Sequence, residues 1–241
     1  MDKQNLVKKL NKILLSNNVV ENFHNEYSNN DDFRNALLSV LPEVEDCANQ
    51  EQNNPWHKYN VLDHILHSVE EMNKRTTNMI YSNRLLLAYT MFLHDIGKPS
   101  CHIKREKNGR IMDSFFGHNL ASAKIANRFL KEIEYGEKDR KTIEKLIEKH
   151  DIFMFISDGP TTNPYHRELS PQVIVDEYND LSQVGNGKVM LRFLTLVGKC
   201  DSLAQNEKMT KGPLILLGKF GKMSNHVDEY LAEAETDNLS Y

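Results

Sequence analysis

The sequence predicts a compact all-α bundle carrying one small β-hairpin. Three observations lead there. Apolar residues recur at helical spacing through most of the 241 residues. The run Leu85-Leu86-Leu87-Ala88-Tyr89-Thr90-Met91-Phe92 is apolar on every side and reads as a buried helix. Strand signal is confined to two segments flanking Asn108-Gly109, a hairpin dipeptide.

Taken in order, Leu6, Leu10, Ile13 and Leu14 share one face of a lysine-rich amphipathic helix over residues 3–15. Asn29-Asn30-Asp31-Asp32 turns the chain and caps a helix from Phe33 to Leu41, which Pro42 ends. Residues 49–55 are polar and read as a loop. From Val61 the period returns with Leu62, Ile65, Leu66, Val69 and Met72, and His64 borders that apolar face. The apolar run at 85–92 delivers His94 and Asp95 to its end, where Gly97 allows a turn and Pro99 stops the helix.

Cys101–Arg105 and Arg110–Phe116 form the hairpin arms, basic at Lys104, Arg105, Lys107 and Arg110, a pattern that reads as a solvated turn ahead of a dedicated phosphate site. Gly117-His118 opens the next helix, and residues 139–150 form another that ends at His150. A helix continuing past His150 would turn Asp151 about 100° away. Residues 157–171, with Pro160, Pro164 and Pro171, form a loop. Helices follow over 173–181 and 188–204, the last carrying Asp201. The tail from Gly212 holds an apolar patch at 214–217 and a short amphipathic piece to Tyr241. The expected organisation is a helical extension at 1–32, a main domain at 33–210 and a packing tail at 211–241.

A formal net charge of -4 argues against a global attraction to nucleic acid or anionic membrane. The three cysteines are far apart, which fits a reducing compartment rather than a disulfide framework. With no signal-peptide pattern and no apolar run near the ~20 residues that span a bilayer, the reading is cytoplasmic.

The polar groups at helix ends or core-facing positions are His64, His94, Asp95, His118, His150 and Asp201. Four imidazoles and two carboxylates suit one or two divalent transition metals, Mn, Fe, Co, Ni or Zn, with Mg also admitted. A carboxylate can bridge two ions. Lys98 follows the His-Asp pair through Gly97, placed to meet a phosphate oxygen or leaving group; otherwise it is a solvated helix-end cation. Arg105 and Arg110 are candidates for a substrate phosphate, and His57 and His67 for support behind a ligand imidazole.

The order His64, His94-Asp95, Asp201 resembles the HD superfamily of metal-dependent phosphohydrolases. Asn54-Pro55-Trp56-His57-Lys58-Tyr59-Asn60-Val61-Leu62-Asp63-His64, His94-Asp95-Ile96-Gly97-Lys98-Pro99, the hairpin and Phe116-Gly117-His118 resemble the HD domains attached to bacterial CCA-adding tRNA nucleotidyltransferases. The likeness extends over residues 33–205, with no room upstream for a nucleotidyltransferase head.

The resemblance implies an all-α phosphohydrolase in which metal-activated water attacks phosphorus. His64, His94, Asp95 and Asp201 would hold one metal. His118 and His150 would hold a second, with Asp95 between. Asp95 and Lys98 would be the catalytic residues. The implied substrate is a small phosphate ester, a nucleotide, a cyclic nucleotide or an RNA end; no membrane partner is implied and the oligomeric state is open. Two alternatives share the ligand set: a di-iron oxygenase, and a metal-stabilised module that binds nucleotide or RNA without turnover.

Overall fold

Helix ends, more than helix bodies, organise this molecule. The computed structural model describes residues 1–107 and 109–238, the side chains of 107 and 235–238 excepted. The Asn108 half of the expected hairpin turn and the last three residues of the tail lie outside it. Among the described residues there are twelve α-helices. They are α1 (Lys3–Leu14), α2 (Val19–Asn29), α3 (Asp31–Val40), α4 (Glu43–Asn49), α5 (Val61–Thr76), α6 (Tyr81–Leu93), α7 (His118–Glu132), α8 (Glu137–Lys149), α9 (Pro171–Leu181), α10 (Gly187–Leu203), α11 (Lys211–Ser224) and α12 (Val227–Asn238). None is long and apolar enough to cross a membrane.

Local chemistry sets the starts. The Asn30 side chain accepts from the Phe33 N–H, Asn60 from Asp63 N–H and Asn186 from Val189 N–H, each satisfying an orphan donor of a first turn. Ser170 caps α9 in the same way, ahead of Pro171. Gly117 precedes α7 with φ 84°, in the left-handed region that a Cβ disfavours.

The centre is α6, in which every residue from Leu85 to Leu93 is buried. It packs against α5, α8 and α10. The N-terminal helices join the same core: Leu6, Leu10, Phe23, Phe33 and Leu37 are fully or almost fully buried in it. Tyr89 Oη donates to Asn11 Oδ1 at 2.7 Å, and Asn73 Nδ2 donates to the Leu14 and Ser16 carbonyls, tying α1 to α6 and α5.

The hairpin is present as β1 (Ile103–Lys107) antiparallel to β2 (Arg110–Ser114), with Ile103 opposite Ser114. One departure from expectation is a second strand pair inside the loop after α8. There β3 (Ile156–Ser157) lies parallel to β4 (Arg167–Glu168). Two residues per strand are too few for a period-two pattern to register.

Gly97 is needed for a different reason from the expected turn. Its φ is not positive. Instead α7 passes against it: a Cβ at 97 would lie 2.5 Å from Ser122 N and 2.8 Å from Ala121 Cβ. Its own N–H donates to Ser122 Oγ at 2.9 Å. The α6 end and α7 are therefore pressed together at a point where only glycine fits. Gly97→Ala should cost about 1–3 kcal/mol as an overpacking change. Urea unfolding checks this, and a wild-type midpoint and slope would contradict the close approach.

Candidate metal centre

Six side chains from five helix ends or turns meet at one buried point. His64 comes from the first turns of α5, His94 caps α6 and Asp95 follows it. His118 is the first residue of α7, His150 caps α8, and Asp201 sits near the end of α10. Ligand atoms of His64, His94, Asp95 and Asp201 lie within 4.8 Å of one another, as do those of Asp95, His118 and His150.

Asp95 divides the cluster. It is 1% exposed. Its Oδ2 faces His64 Nε2 at 3.1 Å and His94 Nε2 at 3.4 Å. Its Oδ1 faces His118 Nε2 at 2.9 Å and His150 Nε2 at 3.5 Å. Asp201 Oδ1 closes the first half, 2.9 Å from His64 Nε2 and 3.6 Å from His94 Nε2. The Asp201 carboxylate also accepts from Gln205 Nε2 at 3.3 and 3.4 Å.

The imidazoles are oriented from behind. His94 Nδ1 donates to the Met91 carbonyl at 2.6 Å, His118 Nδ1 to Phe115 at 2.8 Å and His150 Nδ1 to Ile147 at 2.7 Å. Each acceptor lies three residues earlier. For α6 and α8 it is a carbonyl of the last turn, and in α8 the same carbonyl also accepts from the His150 backbone N–H. With the proton committed to Nδ1, a neutral ring turns its Nε2 lone pair into the cluster, the arrangement that metal-binding histidines use.

That arrangement makes a demand. His64 Nε2 and His94 Nε2 are buried with no aligned hydrogen bond, and so is Asp95 Oδ2, whose nearest cation is the Lys98 ammonium at 2.6 Å. They lie close to one another around a shared space. Buried polar atoms without partners cost free energy, and a cation at their meeting point removes that cost. The residues of the first half therefore fit a divalent ion; in the second half, His118 Nε2 lies 3.2 Å from His150 Nε2, and these two with Asp95 form a further group that could hold one.

The charges respond to the same crowding. Burial alone would raise the Asp95 carboxyl, but His94 and Lys98, with hydrogen bonds from His118 and His150, hold it well below the usual range. Asp201 is likewise held low against burial by His64 and His94. Burial opposes the charged form of His150, yet Asp151 and Asp95 push it up to about 9.

Lys98 is not a solvated helix-end residue. It is 5% exposed, with Nζ 2.6 Å from Asp95 Oδ2. It donates to Gln52 Oε1 at 3.0 Å and lies 5.6 Å above the Phe115 ring. Arg105 and Arg110 are exposed on the hairpin and make no hydrogen bond or ion pair to the cluster among the described residues. His57 stands edge-on to His64 at 5.1 Å between ring centroids. His67 instead stacks on Tyr59 at 4.3 Å and takes no part in either half.

Two residues of the site escaped sequence reasoning. Asp151 was expected to turn away along a continuing helix. But α8 stops at Lys149, and a 3-10 turn over His150–Phe155 brings Asp151 Oδ2 to 3.3 Å from His118 Nε2 and Oδ1 to 3.4 Å from His150 Nε2. The available signal was the repeat of a His-Asp dipeptide at two helix ends. Gln52, buried beneath Lys98, had no signal in a polar loop.

A helical fold with this cluster defines a class. Residues 57–181, just over half of the chain, match the HD domain family, and the chain belongs to it. That family lies within the metal-dependent phosphohydrolase superfamily. Among curated proteins, the chain is similar to an A-adding tRNA nucleotidyltransferase of Deinococcus radiodurans, 28% identical over 142 residues. The match takes in 58% of this chain and 31% of that protein, so the chain spans about a third of the relative's length.

If the cluster takes up metal, binding must stabilise the fold. At a free ion concentration of about 100 times the dissociation constant the gain is about 2.7 kcal/mol. Thermal melts with Mn(II) against a chelator should show a rise of several degrees, on the order of 2–4 °C per kcal/mol for a chain of this size. Asp95→Ala should lose the metal-induced rise. An equal rise in that variant would place the metal elsewhere.

Proposed function

We propose that this chain is a metal-dependent phosphohydrolase acting on a small phosphate ester, a nucleotide, a cyclic nucleotide or an RNA end. The observation that carries this is the division of Asp95, one carboxylate oxygen facing His64 and His94 and the other facing His118 and His150. On this reading His64, His94, Asp95 and Asp201 hold one ion, and Asp95, His118 and His150 hold the other, with Asp151 beside it. Such ions supply positive charge to phosphoryl oxygens and make water acidic enough to react near neutral pH.

The protein's own groups do the rest. The Nδ1-to-carbonyl bonds hold three imidazoles in one tautomer and one orientation. The buried walls of α6 exclude water and strengthen each electrostatic contact. Lys98 keeps an ammonium beside Asp95, anchored by Gln52, where a phosphate entering the cluster would meet it. Its contact strengthens as negative charge moves to the leaving oxygen. The tRNA substrate named for the Deinococcus relative supports the RNA-end and nucleotide members of the substrate class.

A hydrolysis panel tests the reading. Phosphomonoesters, phosphodiesters and cyclic nucleotides are offered with Mn, Fe, Co, Ni, Zn or Mg added back to chelated protein. Turnover should appear with at least one ion and vanish on chelation. Lys98→Ala should keep its metal and lose roughly 10- to 1000-fold in kcat/KM, the scale of one charge-assisted contact to the transition state. No turnover on any ester would overturn the proposal. Oxygen-dependent product formation with iron would favour the oxygenase alternative instead.

A further inference from the structure

The β1–β2 hairpin is tethered to the metal centre at both ends. Upstream, Lys98 leads through a short 3-10 turn at Pro99–Cys101 into β1. Downstream, β2 leads into Phe115, whose ring lies under Lys98 and whose carbonyl orients His118. The base is clamped. Asp113 accepts from Asn53 N–H at 2.7 Å and pairs with His102 Nε2 at 2.8 Å, and His102 stacks on Phe115. Along β2 the residues pass from exposed at Arg110 and Ile111 to half-buried at Met112–Ser114. The hairpin therefore stands out from the body beside the site rather than packing over it.

Its charges are unbalanced. Register pairs Arg105 with Met112, which puts Arg105 and Arg110 on one face with Met112 and Ile103. Asp113, the acid of β2, falls on the other face and is spent on the clamp. Neither arginine has an ion-pair partner among the described residues, although the chain holds 34 acids against 30 bases. Elsewhere cations such as Arg34, Arg75, Arg128 and Arg167 do find carboxylates. At the hairpin's foot, Phe116 is 73% exposed, next to Gly117-His118. Unpaired cations leading to an exposed aromatic ring form the combination that binds single-stranded nucleic acid, by phosphate contact and base stacking.

We infer that the Arg105/Arg110 face of the hairpin binds the phosphate backbone of single-stranded RNA, guiding a terminal phosphate into the metal centre. This rests on the phosphohydrolase reading and narrows its substrate class to an oligonucleotide end. The surface reads charge spacing and base stacking, not sequence. Arg105 and Arg110 are diagonal neighbours near the tip, and the five-residue strands carry the face about 17 Å from there toward the foot.

The test reads binding without turnover, so it is independent of the hydrolysis panel. Fluorescence anisotropy follows a labelled, terminally phosphorylated oligouridylate added to chelated protein over a range of salt. Arg105→Ala/Arg110→Ala should weaken binding on the order of tenfold near 0.1 M salt. It should also reduce the salt slope by about 1.4, from ~0.7 per lost single-strand contact. Arg105→Lys/Arg110→Lys should keep the wild-type slope. Unchanged affinity and slope in the alanine pair would overturn the inference, as would a lysine pair that loses as much as the alanine pair.

Discussion

A carboxylate buried to 1% exposure cannot stand alone, and the structure is arranged around that fact. Asp95 sits at the end of the most apolar helix of the chain, surrounded by four imidazoles and an ammonium. They come from four segments of the chain, His94 and Lys98 sharing one with Asp95, and each is needed because the charge has no water to fall back on. Removing any one partner leaves the rest with an uncompensated buried charge. The fold and the site are therefore one problem: the helices must end where the charges are required.

Helix termination supplies the geometry. An α-helix leaves its last carbonyls unpaired. At the ends of α6 and α8 a last-turn carbonyl accepts from the imidazole Nδ1 of the capping histidine. The bond fixes the ring tautomer and orientation. His118 reaches the same result from a helix start, using the Phe115 carbonyl just before the left-handed Gly117. The close seat of Gly97 against Ser122 then holds the His94-Asp95 end of α6 beside the His118 end of α7. Lys98 and its Gln52 anchor bring the 50–60 loop into the same unit, and the Asp113 clamp ties the hairpin to it.

Much of this was legible in the sequence, for physical reasons that also mark where it was not. Leu85–Phe92 has no polar face, so its burial followed from composition. The helical spacing of Leu6, Leu10 and Leu14, and the cap at Asn30, located their helices within a residue or two. The helices α2 and α4 were missed because short, Asn- and Glu-rich stretches form helices here only through burial of Val19, Phe23, Val44 and Cys47. His64, His94, Asp95, His118, His150 and Asp201 were singled out together, as polar groups at helix ends or core-facing positions whose order resembles the HD superfamily, and the structure brings all six together. Asp151 was not, since its direction depends on whether α8 stops one residue earlier. The burial of Lys98 was hidden as well, because it needs Gln52 and Phe115 from distant segments. The value of Gly97 lay in a neighbour rather than in its own backbone angles.

The account turns on one claim, that the two oxygens of Asp95 separate two metal positions. Anomalous scattering at the manganese edge, from crystals grown with saturating Mn(II), tests it directly. Two peaks are predicted on opposite sides of the Asp95 carboxylate, one among His64, His94 and Asp201 and the other beside His118 and His150. A single peak, or peaks away from Asp95, would contradict it.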